Sequence, residues 1–521
     1  MPKFVHDLLP RLGLLCGAVA VSACTTLGPD YREPEVAWLQ DWQPSLYGLL
    51  EGKTETDLRF WWQVFNDPVL NRLIESAKKD NLSLRIAGLR ILESRALSGI
   101  ARSGLYPQIQ QVSGAVSYAN TQQRGGTLGD NNQSLVSYQA GFDLAWELDF
   151  WGRFQRSIES ADAAFFASIA NQRDGQVLLS AQVANLYFAY RTTELRVVIA
   201  RENAAIQKRS YEITERIYKS GEGSELDLQQ AKTQYLATLS TIPDLEITLT
   251  TIRNALAALL GRPPGNLPEL AGRPVKQLPS IAATGIRDIP AQLLLRRPDI
   301  RAAAWQVAAQ SAQIGIAEAD YYPAISLLGS IGWSGNTLSG SSNTGSLAIG
   351  PALRWNIFDY GSIENNVRVQ DALLQQLIEN YRNTVLQAAR EIDDAAINVV
   401  KTREQQDVLA ESVRAAQRSL ELANKRFHEG YADFQRVLDA QRAVFSQAER
   451  QLVNQGSHVG AVIDLYKTLG GGWLPTPVEQ LIPEEVRDTM QARTDWGNLL
   501  TAPLPDSPAT PLPDSGASQH E

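Results

Sequence analysis

Four stretches of this 521-residue chain alternate apolar and polar side chains with the period of a β-strand. Over 135–149, Val136, Tyr138, Ala140, Phe142, Leu144, Trp146 and Leu148 share one face, opposite Ser137, Gln139, Gly141, Asp143, Glu147 and Asp149. Over 346–357, Leu347, Ile349, Leu353, Trp355 and Ile357 oppose Ser346, Ala348, Gly350, Ala352, Arg354 and Asn356. Pro351 interrupts that stretch, because proline has no N–H to give to a ladder. Ile325, Leu327, Ile331 and Trp333 oppose Ser326, Ser330 and Ser334. A weaker stretch over 108–118 sets Val112, Val116 and Tyr118 against Gln111, Ser113 and Ser117. A tilted membrane strand needs about 9–11 residues, which these stretches supply. The same alternation also fits a soluble sheet with one face on a core.

Elsewhere the period is helical. Residues 362–429 contain no Gly and no Pro, and 153–220 contain only Gly175. At about 1.5 Å per residue, each stretch reaches roughly 100 Å as one helix. Apolar residues recur at three- and four-residue spacing, as in Leu179, Val183, Leu186 and Tyr190. Small residues such as Ala161, Ala163, Ala164 and Ala167 suit closely packed coiled helices. Sharp turns follow at Gly221-Glu222-Gly223 and Gly430-Tyr431-Ala432, and returning helices run to Gly261 and Gly470. A shorter helix over about 67–104, and again over 299–320, leads into each strand pair.

These elements occur twice. Trp146–Gly152 matches Trp355–Gly361 at a shift of 209, as do Gly221 with Gly430, Ala231 with Ala440 and Leu260-Gly261 with Leu469-Gly470. Tyr106-Pro107 matches Tyr322-Pro323 at a shift of 216, which predicts a longer loop between 119 and 134 in the first copy. The chain therefore divides into repeats over 61–265 and 291–475, an N-terminal segment 24–60, a linker 266–290 and a C-terminal segment 476–521 with a disordered tail from about 502. Four strands are too few to enclose a lumen, since even a filled barrel takes about eight. A pore thus requires several chains.

Residues 1–23 read as a secretory signal, with Lys3 and Arg11 ahead of a short apolar run. Val21-Ser22-Ala23-Cys24 resembles a bacterial lipobox, making Cys24 the lipidation site; Thr25 after it favours the outer membrane. Cys16 leaves with the signal, so no thiol remains for a disulfide or a metal. The mature chain keeps 46 basic and 56 acidic residues, a net charge of −10 that argues against nucleic acid. Four histidines (His6, His428, His458, His520) show neither metal-ligand nor catalytic spacing, and no phosphate-binding loop is present. No cofactor, metal or enzymatic role is expected. Gly470-Gly471-Gly472 follows a helix and is read as its terminator.

Several blocks carry a family resemblance. Gly28-Pro29-Asp30-Tyr31 with Pro34 follows the lipobox, then Trp61-Trp62, Phe65 and Asp67-Pro68 with Leu70. Leu295-Arg296-Arg297-Pro298-Asp299-Ile300 and the closing Tyr466-Lys467, Leu469-Gly470-Gly471-Gly472-Trp473 complete the set. Over about residues 24–475 the chain resembles the TolC-like outer-membrane efflux channels, in their lipoprotein branch. The resemblance implies a mainly α fold with membrane β-hairpins. A homotrimer would form a 12-stranded β-barrel, four strands per chain, continued by a long α-helical barrel in the periplasm. It implies a passive duct that passes drugs or other small molecules from an RND-type inner-membrane transporter, through a periplasmic adaptor, to the exterior. The turns at Gly221, Gly223 and Gly430 would be the tips that meet the adaptor. Asp439 matches the family's aperture aspartate, and Asp227 the acidic position of the first tip. The tyrosine expected opposite Asp227 is Phe427 here, which has no hydroxyl for that latch. Arg436 lies three residues before Asp439, spaced to pair with it on one helix face. The competing reading is a coiled-coil envelope lipoprotein without a pore.

Overall fold

The computed structural model describes residues 26–39, 57–123, 131–271, 277–279, 294–336 and 343–505. Cys24 and the signal lie outside the described residues. The first half of the chain runs α1 (Pro68–Asp80), α2 (Leu82–Ser103), β1 (Ile109–Gln123), β2 (Asn131–Glu147), α3 (Arg153–Lys219) and α4 (Glu225–Leu259). The second runs α5 (Pro298–Glu318), β3 (Ala324–Asn336), β4 (Thr344–Arg354), α6 (Ser362–His428) and α7 (Phe434–Thr468). Two short helices, α8 (Val478–Leu481) and α9 (Glu484–Arg493), follow.

The two long helices, α3 and α6, are each 67 residues. Each starts after a glycine in the left-handed region, Gly152 (φ 72°) or Gly361 (φ 83°), and each stops at another, Gly221 (φ 82°) or Gly430 (φ 79°). At both stops the backbone closes in the same way: Gly221 N–H donates to Tyr218 O and Glu222 N–H to Ile217 O, and Gly430 and Tyr431 do the same to Phe427 and Arg426. The returning helices α4 and α7 are each 35 residues and end at Gly261 and Gly470. α4 continues through Pro243 despite the backbone hydrogen bond lost there. The duplication is therefore written in backbone conformation as well as in sequence.

Three expectations need correction. The helix expected over 67–104 breaks at Asn81, whose extended backbone (φ −66°, ψ 124°) lets its carboxamide cap α2 at Leu84 N–H, 2.9 Å away, while its NH₂ donates to Leu259 O. The last strand ends at Arg354, so Trp355 and Ile357 lie beyond the ladder. The extra length of the first hairpin lies in longer strands rather than in a longer loop. Its ladder runs from Ile109↔Ala145 to Gln123↔Asn131, whereas the second stops at Ser334↔Thr344.

The strands form one antiparallel sheet in the order β1-β2-β3-β4. The helices pack as α3 on α4, α6 on α7, and α5 between α3 and α6. Their shared core joins both repeats, with Val183 and Tyr187 (α3), Leu256 (α4), Val385 and Ile392 (α6) and Val462 and Ile463 (α7) all buried. Trp61 is fully buried and stacks on Tyr466, ring centroids 5.7 Å apart. Gly471 and Gly472 exist to admit it: a Cβ on either would meet Trp61 at about 3 Å. The N-terminal strap 26–34 threads a similar groove, where Arg156 donates to Leu27 O and Gly28 O and pairs with Asp30. At the other end, α8 and α9 cover α2 through Leu92, Val478, Ile482 and Met490, and Arg95 donates to Leu499 O and Ala502 O.

Arg297 shows why the Leu-Arg-Arg-Pro-Asp block has that composition. Its guanidinium is nearly buried at the start of α5 and donates to Asp299, to Glu391 of α6 and to Thr468 O at the end of α7. One fork thus ties three helices. Asp174 of α3 lies in the same field, and burial first, then the Asp299 carboxylate, push it up to about 6 from 3.8. Between those values the folded chain holds a proton that the unfolded chain has released, so the stability this group gives is present at low pH and lost as pH rises through 6. Asp174→Asn is expected to raise the melting temperature at pH 7.5 by more than at pH 4.5, with a gain of about 1–2 kcal/mol after allowing for partial solvent screening. An equal shift at both pH values in thermal melts would contradict this.

Candidate functional site

The sheet carries the first candidate site. Its registers align one face across all four strands. Val112 pairs with Phe142, Phe142 with Ile331 and Ile331 with Leu347. Val116, Tyr138, Trp146, Leu327, Ile349 and Leu353 lie on that same face. Among the described residues nothing covers it: Val112 is 82% exposed, Leu347 78% and Ile349 75%. A soluble sheet buries such a face; this one presents it outward, as a strand set facing lipid does. The opposite face carries Gln111, Ser113, Gln139, Asp143, Ser330 and Arg354. β1 and β4 are bare edges of the sheet. Among the described residues no helix is long and apolar enough to cross a membrane.

The tips carry the second. Ser224 caps α4 through Leu226 N–H, and Asp227 lies in that first turn, half-buried. Phe427, at the end of α6, packs on Phe434 with ring centroids 5.2 Å apart. Both join a cluster of Ala231, Val437 and Leu438, with Tyr211 and Leu420 against it, so the two hairpins meet through apolar contact. Three polar ties sit above it: Gln234 donates to Leu438 O (3.2 Å), Gln441 to Ser210 Oγ (3.0 Å) and Arg442 to Gln234 Oε1 (3.3 Å). Arg442 also pairs with Asp439 at 3.0 Å, and Gln435 donates to the same carboxylate. This corrects the expected Arg436–Asp439 pair. Positions three residues to either side of Asp439 are both within reach on a helix, and the C-terminal one is taken; Arg436 stays exposed and forms no ion pair with Asp439. The Asp439–Arg442 pair is solvent-exposed, a class worth about 0–1 kcal/mol. That pair lies within α7, so the hairpins are held to each other by the apolar cluster and the three polar ties. A groove of about 590 Å³ beside these residues is lined by Gln229, Gln230, Thr233, Gln234, Gln435 and Arg442.

The sequence places Asp227, Phe427 and Asp439 at the same end of the molecule, and the roles of Gln441, Arg442 and Gln234 were not read from it. Arg442 stands three residues after Asp439, at pairing distance on a helix, and was legible as a partner; Gln234 had no signal.

Outside comparisons fit this geometry. Residues 73–262 and 289–471 match the family model of the outer membrane efflux protein. The chain belongs to the outer membrane efflux protein family. It is 31% identical over 477 residues to the toluene efflux pump outer membrane protein TtgF of Pseudomonas putida, covering 88% of this chain and 95% of that one. It is 29% identical over 461 residues to the cation efflux system protein CusC of Escherichia coli, covering 88% and 98%. Among solved structures it resembles the outer-membrane channel OprN with a TM-score of 0.75 and 32% identity, over 86% of this chain and all of that one. The protein is an outer-membrane efflux channel subunit with a periplasmic helical part, and the pore-free spacer reading is not favoured. As a member of this family it is a transport protein.

Phe427→Ala removes a ring that packs on Phe434 within the second hairpin and lies against the cluster that includes Ala231 of the first. Because the ring is half-buried, the loss is expected at about 1–3 kcal/mol, below the roughly 3–5 of a fully buried phenylalanine. Hydrogen exchange should speed up over 224–234 and 431–441 while the core of α3 keeps its protection. Unchanged exchange at both tips would overturn the role given to this cluster.

Proposed function

We propose that three copies of this chain close into one 12-stranded barrel, whose helices continue it as a tunnel across the periplasm. The observation that carries this is the sheet's bare apolar face combined with two open edges on four strands. In hydrocarbon an open edge leaves backbone groups without partners, each costing several kcal/mol by the usual estimate for unpaired polar groups (~2–7). Neighbouring copies supply the missing ladders. Cys24 carries the lipid that tethers the strap, and the units 61–265 and 291–475 act as quasi-equivalent staves.

The duct works with an RND-type inner-membrane transporter and a periplasmic adaptor. The turns at Gly221, Gly223 and Gly430 and the groove beside Gln229 and Arg442 form the adaptor surface. Cargo is drugs or other small organic molecules, in line with the toluene efflux role named for TtgF. The duct itself is passive, and energy comes from the inner-membrane partner.

At the tips, Asp439 from each copy lines an acidic aperture that attracts cations. Arg442, held by both Asp439 and Gln234, offsets that charge while the hairpins stay together. In planar bilayers the purified oligomer should conduct, and multivalent cations should block it from the tip side. Arg442→Gln should strengthen block severalfold and Asp439→Asn should abolish it. A monomeric, non-conducting protein overturns the channel assembly; a conducting one whose block ignores both substitutions overturns the aperture assignment.

A further inference from the structure

The seam between the repeats contains a contact whose counterpart is missing. At the end of β2, Trp151 stacks on Tyr322, ring centroids 4.6 Å apart, and its indole N–H donates to Pro323 O at 2.9 Å. Leu148 N–H extends the same seam by donating to Ile325 O. Repeat one thus locks onto the Tyr-Pro entry of repeat two. By the duplication, Trp151 corresponds to Tyr360, and Tyr322-Pro323 to Tyr106-Pro107. That the duplication holds in detail here is shown by two matching bonds: Trp146 indole N–H to Leu105 O, and Trp355 indole N–H to Tyr321 O.

Yet Tyr360 is fully exposed (102%) and Tyr106 is 69% exposed. Tyr360 is also held at φ 56°, a left-handed conformation in which a bulky side chain crowds its own backbone. A strained backbone that presents an uncovered ring is a site made to meet something.

Resting on the assembly proposed above, we infer that a second copy of this chain completes the seam: Tyr360 of one protomer stacks on the Tyr106-Pro107 entry of the next, and β4 pairs with the neighbour's β1 with Trp355 opposite Val112. The register follows from the chain's own. Val112↔Phe142 in the first hairpin and Leu327↔Pro351 in the second are equivalent pairs, so β2 maps to β4 by 209 residues and β1 to β3 by 215. The one-residue difference from the Tyr-Pro shift lies between Pro107 and Val112. Carrying Trp146↔Leu327 of the inner seam through these shifts gives Trp355 opposite Val112; Asp143↔Ser330 gives Ala352 opposite Ala115. This register keeps the apolar faces continuous around the ring, whereas a one-residue slip would turn Trp355 toward the polar face.

Cysteine pairs test it in the full-length acylated protein. Ala352→Cys with Ala115→Cys, both on the water-lined face, should oxidise to covalent oligomers on non-reducing gels. Ala352→Cys with Ser113→Cys or Ser117→Cys should not, since diagonal neighbours stand about 7–8 Å apart, beyond disulfide reach. Each single variant controls for Cys24. Tyr360→Ala and Tyr106→Ala should each lower the temperature at which the oligomer dissociates in detergent, the double variant no further than either alone, and Tyr360→Trp should restore it. Cross-links only at an offset pair overturn the register, and additive or absent effects at Tyr360 and Tyr106 overturn the stack. A wild-type protein that is monomeric by native mass spectrometry defeats the assembly itself, a distinguishable outcome.

Discussion

An apolar sheet face that its own chain leaves uncovered is the constraint from which the rest follows. Val112, Phe142, Ile331 and Leu347 line up rung by rung across four strands, and no described helix lies over them. In water such a surface would drive aggregation; in a bilayer it is the correct solvent match. The same sheet has two open edges, which lipid does not satisfy. The first feature matches the sheet to the membrane, and the second is the ground for the proposed closure by further copies.

The helices are built to hold that sheet at a fixed distance from the tips. Left-handed glycines at 152 and 361 turn each strand into a helix, and those at 221 and 430 turn each helix back. Midway along the long helices the joints are firm: Arg297 ties the start of α5 to Glu391 in the middle of α6 and to the end of α7, and Trp61 fills the notch left by Gly471 and Gly472. At the tips the ties are weaker, a small apolar cluster and a few side-chain hydrogen bonds. This contrast, firm at mid-length and more loosely joined at the tips, makes the tips the end where the hairpins separate most readily.

Much of this was legible beforehand because the signals were periodic and long. Alternation over β2 and the glycine-free run of α6 leave little choice of element, and the repeat doubled every observation. What escaped reading depended on three dimensions. A hydrogen-bonding side chain at Asn81 competed locally with the helix and won. Asp439 had arginines at equal spacing on either side, and the choice fell to Arg442 because Gln234 of the other hairpin also holds that guanidinium. The docking of α8, α9 and the segment after them onto α2 joins residues as far apart as Arg95 and Leu499, 404 positions away, with no local pattern to announce it.

The orientation of the sheet can be measured directly. Spin labels placed one at a time along β1 from 111 to 118 and along β4 from 346 to 353 report access to oxygen, concentrated in lipid, and to a water-soluble nickel chelate. The account predicts a two-residue alternation, with oxygen access at 112, 116, 347 and 349 and nickel access at 113, 117, 346 and 348. Uniform access to nickel along both strands, or alternation of the opposite phase, would contradict it.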